Sequence, residues 1–104
     1  MGFKIILTPQ AIEDLREIVA YIAQDNPTRA EAFGYELCEK VLMLSNHPFL
    51  GRVVPEFRRN DVRELVYKPY RIVYGVDESK SVIYVYHYWH GARQLRNLPQ
   101  DPTS

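Results

Sequence analysis

The sequence predicts one α+β domain, in which an N-terminal strand and an α-helical hairpin precede a three-stranded antiparallel meander that completes one sheet. Three observations predict this fold. A β-branched run stands near the N-terminus, two stretches repeat apolar residues at helical spacing, and three alternating stretches fill residues 62–93. Six of the eight tyrosines lie in that last segment. We expect the domain to span residues 1–96 and a polar, proline-rich tail to span residues 97–104.

The first strand is predicted over residues 3–7, which read FKIIL. A helix follows, since Thr8 can cap its N-terminus and Pro9 is suited to its first position. Its apolar positions recur every three or four residues to about residue 24: Ile12, Leu15, Val19 and Ile22.

A second helix begins at Asn26 and Pro27, which act as cap and first residue. Its apolar stripe contains Phe33, Leu37, Val41 and Leu44. The link between the two helices is so short that they should form an antiparallel hairpin. Gly34 costs this helix about 1 kcal/mol relative to alanine, which indicates close packing against the first helix at that point.

Residues 47–61 contain two prolines, one glycine and three arginines, and this composition predicts an ordered surface loop. Within it, Phe49, Leu50 and Phe57 are expected to point inward. Strands are predicted after the loop over residues 62–67, 70–76 and 81–89. Alternation along the last strand places Tyr84, Tyr86 and Tyr88 on one face and Ile83, Val85, His87 and Trp89 on the other.

The charge and cysteine content narrow the class of protein. The net charge is zero, but residues 1–50 hold four Lys/Arg and seven Asp/Glu, whereas residues 51–104 hold nine and six. A basic half suits an acidic partner, although ordinary mixing of surface charges explains the same imbalance. The single cysteine, Cys38, forms no internal disulfide, and no apolar run reaches about 18 residues. We therefore expect a cytoplasmic protein that does not contact membranes.

The sequence contains no glycine-rich phosphate loop, nucleophile elbow or HExxH motif. His87 and His90 lack the further ligands that a metal site needs, so neither a metal nor another cofactor is expected. Three carboxylates stand close to arginines in the sequence and are interpreted as salt-bridge partners: Glu56, Asp61 and Glu64.

The residues best suited to catalysis are basic and aromatic side chains in the second half of the chain: Arg63, Arg71, His87, His90 and Arg93, with Tyr70, Tyr86 and Tyr88. RNA cleavage without a metal needs a base, an acid and cations that stabilise the charged phosphorane. Aromatic side chains can also stack on splayed bases. The same residues are ordinary in a sheet, where arginines pair with acids and tyrosines pack well. Taken alone, the residues favour this structural interpretation.

The segments VREL, YRIVYGVDE and VIYVYHYWHGAR, following LTPQAIEDLREIVAYIAQDNP, resemble the RelE/ParE superfamily of bacterial type II toxins. The resemblance covers residues 3–96 and depends on YRIVY and HGAR occurring together. It implies two helices packed on an antiparallel sheet. It also implies a co-transcribed antitoxin, which wraps the toxin and neutralises it.

The resemblance implies one of two activities. RelE-like members cleave mRNA on the ribosome, and Arg71 matches an arginine that they use on the scissile phosphate. Under this alternative His90, His87 and Arg93 complete the catalytic set. However, Glu64 stands where a lysine is expected, and residues 96–98 offer no match for a catalytic tyrosine. The LTPQA opening, the WHGAR ending and the zero net charge favour ParE-like members, which inhibit DNA gyrase.

We therefore predict a growth-inhibiting toxin of the plasmid-stabilisation type that acts on DNA gyrase by protein contact. Two alternatives stay open: an mRNA endonuclease that binds the ribosome, and a decayed toxin that only binds its antitoxin. Acidic residues on the antitoxin's disordered tail would suit the basic loop. The predicted antitoxin- or target-binding residues are Arg52, Arg58, Arg59, Arg63, Trp89 and Arg93.

Overall fold

The computed structural model describes residues 2–91, and there it follows the predicted order of elements with one short strand added. The elements are β1 (Lys4–Leu7), α1 (Pro9–Ala23), α2 (Pro27–Leu42), β2 (Arg52–Val53), β3 (Val62–Tyr67), β4 (Tyr70–Asp77) and β5 (Val82–His90). A 3-10 turn over Met43–Ser45 continues from α2. The predicted tail, residues 97–104, lies outside the described residues.

The five strands form one sheet in the order β1-β5-β4-β3-β2. The predicted meander is confirmed, because β3, β4 and β5 pair antiparallel in sequence. The first strand, in contrast, runs parallel to the last, with Leu7 opposite Val85, so the sheet is mixed. The helical hairpin makes this parallel pairing possible, because it carries the chain away from β1 before the meander begins.

Both predicted helix caps are present. The Thr8 hydroxyl accepts a hydrogen bond from the Ala11 amide at 3.2 Å and donates one to the Val85 carbonyl at 2.9 Å, so it caps α1 and ties it to β5. The Asn26 side chain accepts from the Arg29 amide at 3.0 Å. The prediction that Ile12 faces the core is wrong. Ile12 is exposed, and Ala11 is buried in its place.

Both helices pack against one face of the sheet and enclose the main core. Its buried members from the helices and the sheet include Ile18, Phe33, Leu37, Leu44, Ile72, Tyr74, Ile83, Val85 and Tyr88. A Cβ atom on Gly34 would lie 3.4 Å from Val19 Cγ2, an ordinary van der Waals distance, so the two helices are in contact at this glycine without requiring it.

A bulge in β5 overturns the predicted alternation of that strand. Tyr74 pairs with Val85 and Val73 pairs with His87, so Tyr86 is an extra residue between them. Tyr88 consequently joins Ile83 and Val85 in the helix-side core, although alternation assigned it to the opposite face. Beyond the bulge, His87 and Trp89 lie on the helix-free face together with Tyr84 and Tyr86.

The helix-free face carries a smaller core beneath the loop that joins β2 to β3. Val54, Val62 and Val73 are buried there, and Phe57 and Trp89 pack against them, which confirms the inward position of Phe57. The same prediction is wrong for Phe49 and Leu50, which are 36% and 49% exposed. In residues 2–91 no helix is long and apolar enough to cross a membrane.

Candidate functional site

Arg71, the residue nominated for phosphate binding, lies on the helix-free face of the sheet and is engaged by two carboxylates. Its Nε donates to Glu64 Oε1 at 2.5 Å, and its Nη1 and Nη2 donate to the two oxygens of Glu56 at 2.8 Å each. The side chain is only 12% exposed. All three guanidinium nitrogens therefore point at carboxylates of the same chain.

Glu64 is the centre of this ion cluster. Its side chain has no exposed surface, and its second oxygen accepts from Arg52 Nε at 2.6 Å. A carboxylate buried this deeply needs cations around it, since an isolated charge would be strongly destabilising there. The cluster therefore contains two arginines and two glutamates, and its net charge is zero.

The protonation states of the cluster follow from these contacts. The hydrogen bonds from Arg71 hold the pKa of the Glu56 carboxyl below its usual value of 4.5, although partial burial opposes this shift. The hydrogen bonds to Glu56 and then to Glu64 raise the pKa of Arg71 above its usual value. Both groups are therefore charged at neutral pH, and an incoming phosphate would have to compete with Glu56 for Arg71.

His87 lies on the same face as Arg71 and is held by an acidic residue of α1. Its Nδ1 lies 2.8 Å from Asp14 Oδ2, and that oxygen also accepts the Tyr88 amide at 3.2 Å. The imidazole contacts the Trp89 ring edge-on, with 5.0 Å between centroids. Asp14 thus orients His87. It also provides a hydrogen-bond acceptor for the Tyr88 amide at the edge of β5, where β1 has already ended.

The structure separates the other nominated catalytic residues. His90 is opposite Tyr70 in the sheet, and their rings meet edge-on at 5.4 Å on the helix side, away from Arg71 and His87. Arg93 lies outside the described residues. Trp89 is opposite Arg71 in the sheet and packs against the smaller core, so most of its surface is covered by other residues of the toxin.

Four of the five arginines predicted to bind a partner lie in the described residues, and they fall into two groups. Arg52 belongs to the ion cluster, and Arg59 pairs with Asp61 at 2.8 Å. Arg63 donates only to neutral acceptors, Gly51 and Asn60, and Arg58 forms no ion pair within the described residues. The sequence alone did not show which of these arginines form ion pairs, because all four lie in its basic second half.

The helical hairpin carries an apolar cleft that the sequence analysis did not identify. It has a volume of about 220 Å³ and is lined by Leu15, Val19, Ala30, Glu31, Gly34, Tyr35 and Cys38. Two small residues of α2, Ala30 and Gly34, leave this space open. Their spacing of four places them on one helical face, which is the sequence pattern that could have predicted the cleft.

The family model for the ParE toxin of type II toxin-antitoxin systems matches residues 5–95. The chain belongs to the ParE toxin family. This confirms the predicted RelE/ParE superfamily and its ParE branch, and the chain is the toxin component of a type II toxin-antitoxin system. A comparison with curated proteins found no match.

Solved structures from both branches share the fold of this ParE-family toxin. A chain of the chromosomal ParDE system from P. aeruginosa superimposes with a TM-score of 0.71 at 20% identity, covering 86% of this chain and 96% of that one. The RelBE2 toxin-antitoxin complex of Mycobacterium tuberculosis gives 0.62 at 18%, covering 86% and 99%. A mutant of E. coli toxin RelE in the free state gives 0.62 at 18%, covering 88% and 86%. At these identities the similarity concerns the fold.

Proposed function

We propose that this toxin inhibits DNA gyrase by protein–protein contact and that a cognate antitoxin neutralises it. The observation that carries the proposal is the ion cluster, in which Glu64 and Glu56 engage every nitrogen of the Arg71 guanidinium. An RNA-cleaving site needs cations that can stabilise a developing negative charge. In this toxin the corresponding arginine stabilises carboxylates of its own fold instead.

The position of His90 supports the same proposal. His90 lies on the helix side of the sheet, opposite to the face that carries Arg71. One substrate phosphate therefore cannot contact Arg71 and His90 together without rearrangement of the sheet. The remaining candidate, Arg93, stays a prediction.

A ribosome-dependent mRNA endonuclease is the second candidate, and one observation favours it. His87 shares the face of Arg71 and is oriented by Asp14 at 2.8 Å. An imidazole held by a carboxylate is an arrangement that general bases use. Under this alternative Arg71 would have to leave Glu56 to bind the phosphate, and His87 would accept the 2′-OH proton.

The antitoxin is the partner that the family and its neighbours support, because the similar structures include ParDE and RelBE2 toxin-antitoxin systems. The apolar cleft on the hairpin and the exposed arginines of the β2–β3 loop offer contact surfaces of different character. A disordered antitoxin segment that folds on binding can cover both. If the toxin has lost its activity, this binding would be its remaining function.

The deciding experiment mixes the purified toxin with gyrase and supercoiled plasmid and measures cleaved DNA, with antitoxin-bound toxin as the control. We expect cleaved DNA to accumulate and the antitoxin to prevent it. Folded toxin that inhibits growth but leaves gyrase unaffected would refute the proposal, and mRNA cleavage on ribosomes would then be measured. Unchanged growth on expression without antitoxin would favour the binding module.

A further inference from the structure

The outer face of the helical hairpin exposes apolar side chains on both sides of the cleft between α1 and α2. On α2, Tyr35 and Leu42 are each 65% exposed, and Cys38 is exposed as well. On α1, Ile12 is 44% exposed. A helix face in contact with water usually carries polar residues, so a continuous exposed apolar surface marks a place where another molecule binds.

Helical spacing joins these residues into one surface. Tyr35 and Cys38 line the cleft, and Leu42 follows Cys38 by one helical turn. On α1, Ile12 precedes the lining residue Leu15 by one turn. We name this surface the hairpin face, and its residues are Ile12, Leu15, Val19, Tyr35, Cys38 and Leu42.

The hairpin face carries a projecting side chain beside a depression. Tyr35 projects at the border of the cleft, which Ala30 and Gly34 keep open. The cleft volume of about 220 Å³ lies below the roughly 300–1,000 Å³ of a small-molecule site, so the cleft suits a single side chain. In a two-fold dimer both copies use the same patch, which must therefore be complementary to itself. Tyr35 and the cleft meet this requirement, because the projection of one copy fits the depression of the other.

The charges beside the cleft are complementary in the same way. Arg16 lies on α1 one turn before Val19, and its ion pair with Glu13 at 3.5 Å is exposed on both sides and therefore weak. On α2, Glu39 follows Tyr35 by one turn and forms no ion pair within residues 2–91. The α1 side of the cleft thus offers a cation and the α2 side an anion.

The register of the hairpin shows where these charges meet in a dimer. A Cβ atom on Gly34 would lie 3.4 Å from Val19 Cγ2, so these two positions are level with each other. Because the helices run antiparallel, Arg16, three residues before Val19, is level with the segment just before Glu39. A two-fold axis along the cleft lays α1 of each copy over α2 of the other and keeps this level, so Arg16 of one copy approaches Glu39 of the other.

We propose that the hairpin face binds a second copy of this chain, so that the toxin without antitoxin forms a two-fold dimer. Tyr35 of each copy enters the cleft of the other beside Val19, and each Arg16 pairs with a Glu39. The dimer covers the exposed apolar residues of both copies at once. A partner that carries charge of one sign is less suitable, because either Arg16 or Glu39 would repel it.

The inference goes beyond the proposed function and does not depend on the target of the toxin. An antitoxin that covers the cleft would displace the second copy, so the experiment uses the full-length toxin alone. The gyrase assay measures DNA cleavage, whereas this experiment measures the mass of the toxin in solution. Each proposal can therefore fail while the other stands.

Sedimentation velocity over a range of micromolar concentrations tests the dimer. We expect the mass of the toxin to rise to twice that of the chain as the concentration increases. Tyr35→Ala should weaken dimerisation by at least about tenfold, because an aromatic side chain at the centre of an interface contributes strongly. Tyr21→Ala is the matched control. Tyr21 is a 71% exposed aromatic residue of α1 outside the cleft, and its removal should leave dimerisation unchanged.

A charge exchange tests the arrangement of the two copies. Arg16→Glu and Glu39→Arg should each weaken dimerisation by about fivefold, since like charges then meet. An equimolar mixture of these two variants should dimerise as strongly as wild type. One copy then offers glutamate at both positions and the other arginine at both, so both contacts between unlike copies join opposite charges.

The thiol of Cys38 reports whether the hairpin face is the surface that becomes covered. Cys38 is the only cysteine of the chain, so labelling by a thiol reagent measures this position alone. In the wild-type toxin the labelling rate should fall as the protein concentration rises. In Tyr35→Ala the rate should depend far less on concentration.

A wild-type toxin that stays monomeric at every concentration would overturn the proposal. Equal dimerisation of wild type and Tyr35→Ala would do so as well, as would a dimer that leaves Cys38 labelling unchanged, because the copies would then meet at another surface. A mixture of the two charge variants that dimerises no better than either alone would refute the two-fold arrangement. Thermal unfolding of each variant confirms that the measured changes concern a folded protein.

Discussion

Replacing Arg71 with alanine is expected to destabilise the toxin by about 3–5 kcal/mol, the range for removing one partner of a buried ion pair. The magnitude follows from Glu64, whose carboxylate has no exposed surface and contacts Arg71 at 2.5 Å and Arg52 at 2.6 Å. Without Arg71, the buried charge keeps only Arg52, whose side chain is largely exposed. The loss exceeds that of an ordinary surface pair because Glu64 cannot regain water.

Urea unfolding at neutral pH, followed by circular dichroism, measures this loss as a lower midpoint with an unchanged slope. Arg59→Ala is the matched control. The Arg59–Asp61 pair is about half exposed on both sides, so its removal should cost no more than about 1 kcal/mol. The reasoning would be refuted if Arg71→Ala cost as little as Arg59→Ala.

A double variant separates the structural role of Arg71 from a catalytic one. Arg71→Met combined with Glu64→Leu removes both buried charges and fills the space with apolar groups, which usually restores stability. The gyrase proposal predicts that this stable protein still inhibits growth. The nuclease alternative predicts that it does not, because the residue that would bind the phosphate is absent. Arg71→Ala alone cannot distinguish the two, since unfolding also abolishes toxicity.

Three further predictions concern the packing and the pH dependence. Tyr88→Phe should leave the melting temperature unchanged or raise it, because the buried Tyr88 hydroxyl has no hydrogen-bond partner among the described residues. Tyr74→Phe should lower the unfolding free energy by about 1 kcal/mol, because the Tyr74 hydroxyl accepts a hydrogen bond from the Gly51 amide at 2.9 Å. Gly75→Ala should lower the unfolding free energy by about 1–3 kcal/mol, because the added Cβ would lie 2.7 Å from the Tyr86 ring. Gly34→Ala should not lower it. Equal losses of stability in the two variants would contradict this reasoning. The unfolding free energy of the wild-type protein should exceed that of the Glu56→Gln variant by about 1 kcal/mol above pH 4.5. This difference should vanish as the pH falls through the lowered pKa of Glu56. A difference that does not depend on pH would contradict the assignment.

Local features of the sequence were sufficient to predict the elements themselves. Thr8-Pro9 and Asn26-Pro27 mark helix starts by their own capping chemistry, and the structure confirms both caps. Apolar periodicity predicted the helices, and alternation predicted the three strands of the meander within one or two residues. The two-residue strand β2 was missed, because Arg52 and Val53 become a strand only by pairing with β3.

The candidate site depended on contacts between distant segments. Sequence analysis identified Arg71 by resemblance and interpreted Glu56 and Glu64 as salt-bridge partners, and the structure confirms those pairings. It did not reveal that Arg58 and Arg63 differ from Arg52 and Arg59, since ion-pair geometry is decided by side chains that approach through folding. The hairpin cleft was also missed, although the spacing of Ala30 and Gly34 on one face of α2 could have indicated it.

The sequence by itself determined the order and type of every element except β2, the family and the basic character of the second half, because each depends on neighbouring residues or on short patterns. The tertiary structure alone decided which face each residue of β5 occupies, since one extra residue at Tyr86 reverses the alternation after it. It also decided the parallel pairing of β1 with β5 and the neutralisation of Arg71. These depend on interactions between segments far apart in the chain, for which local periodicity carries no information.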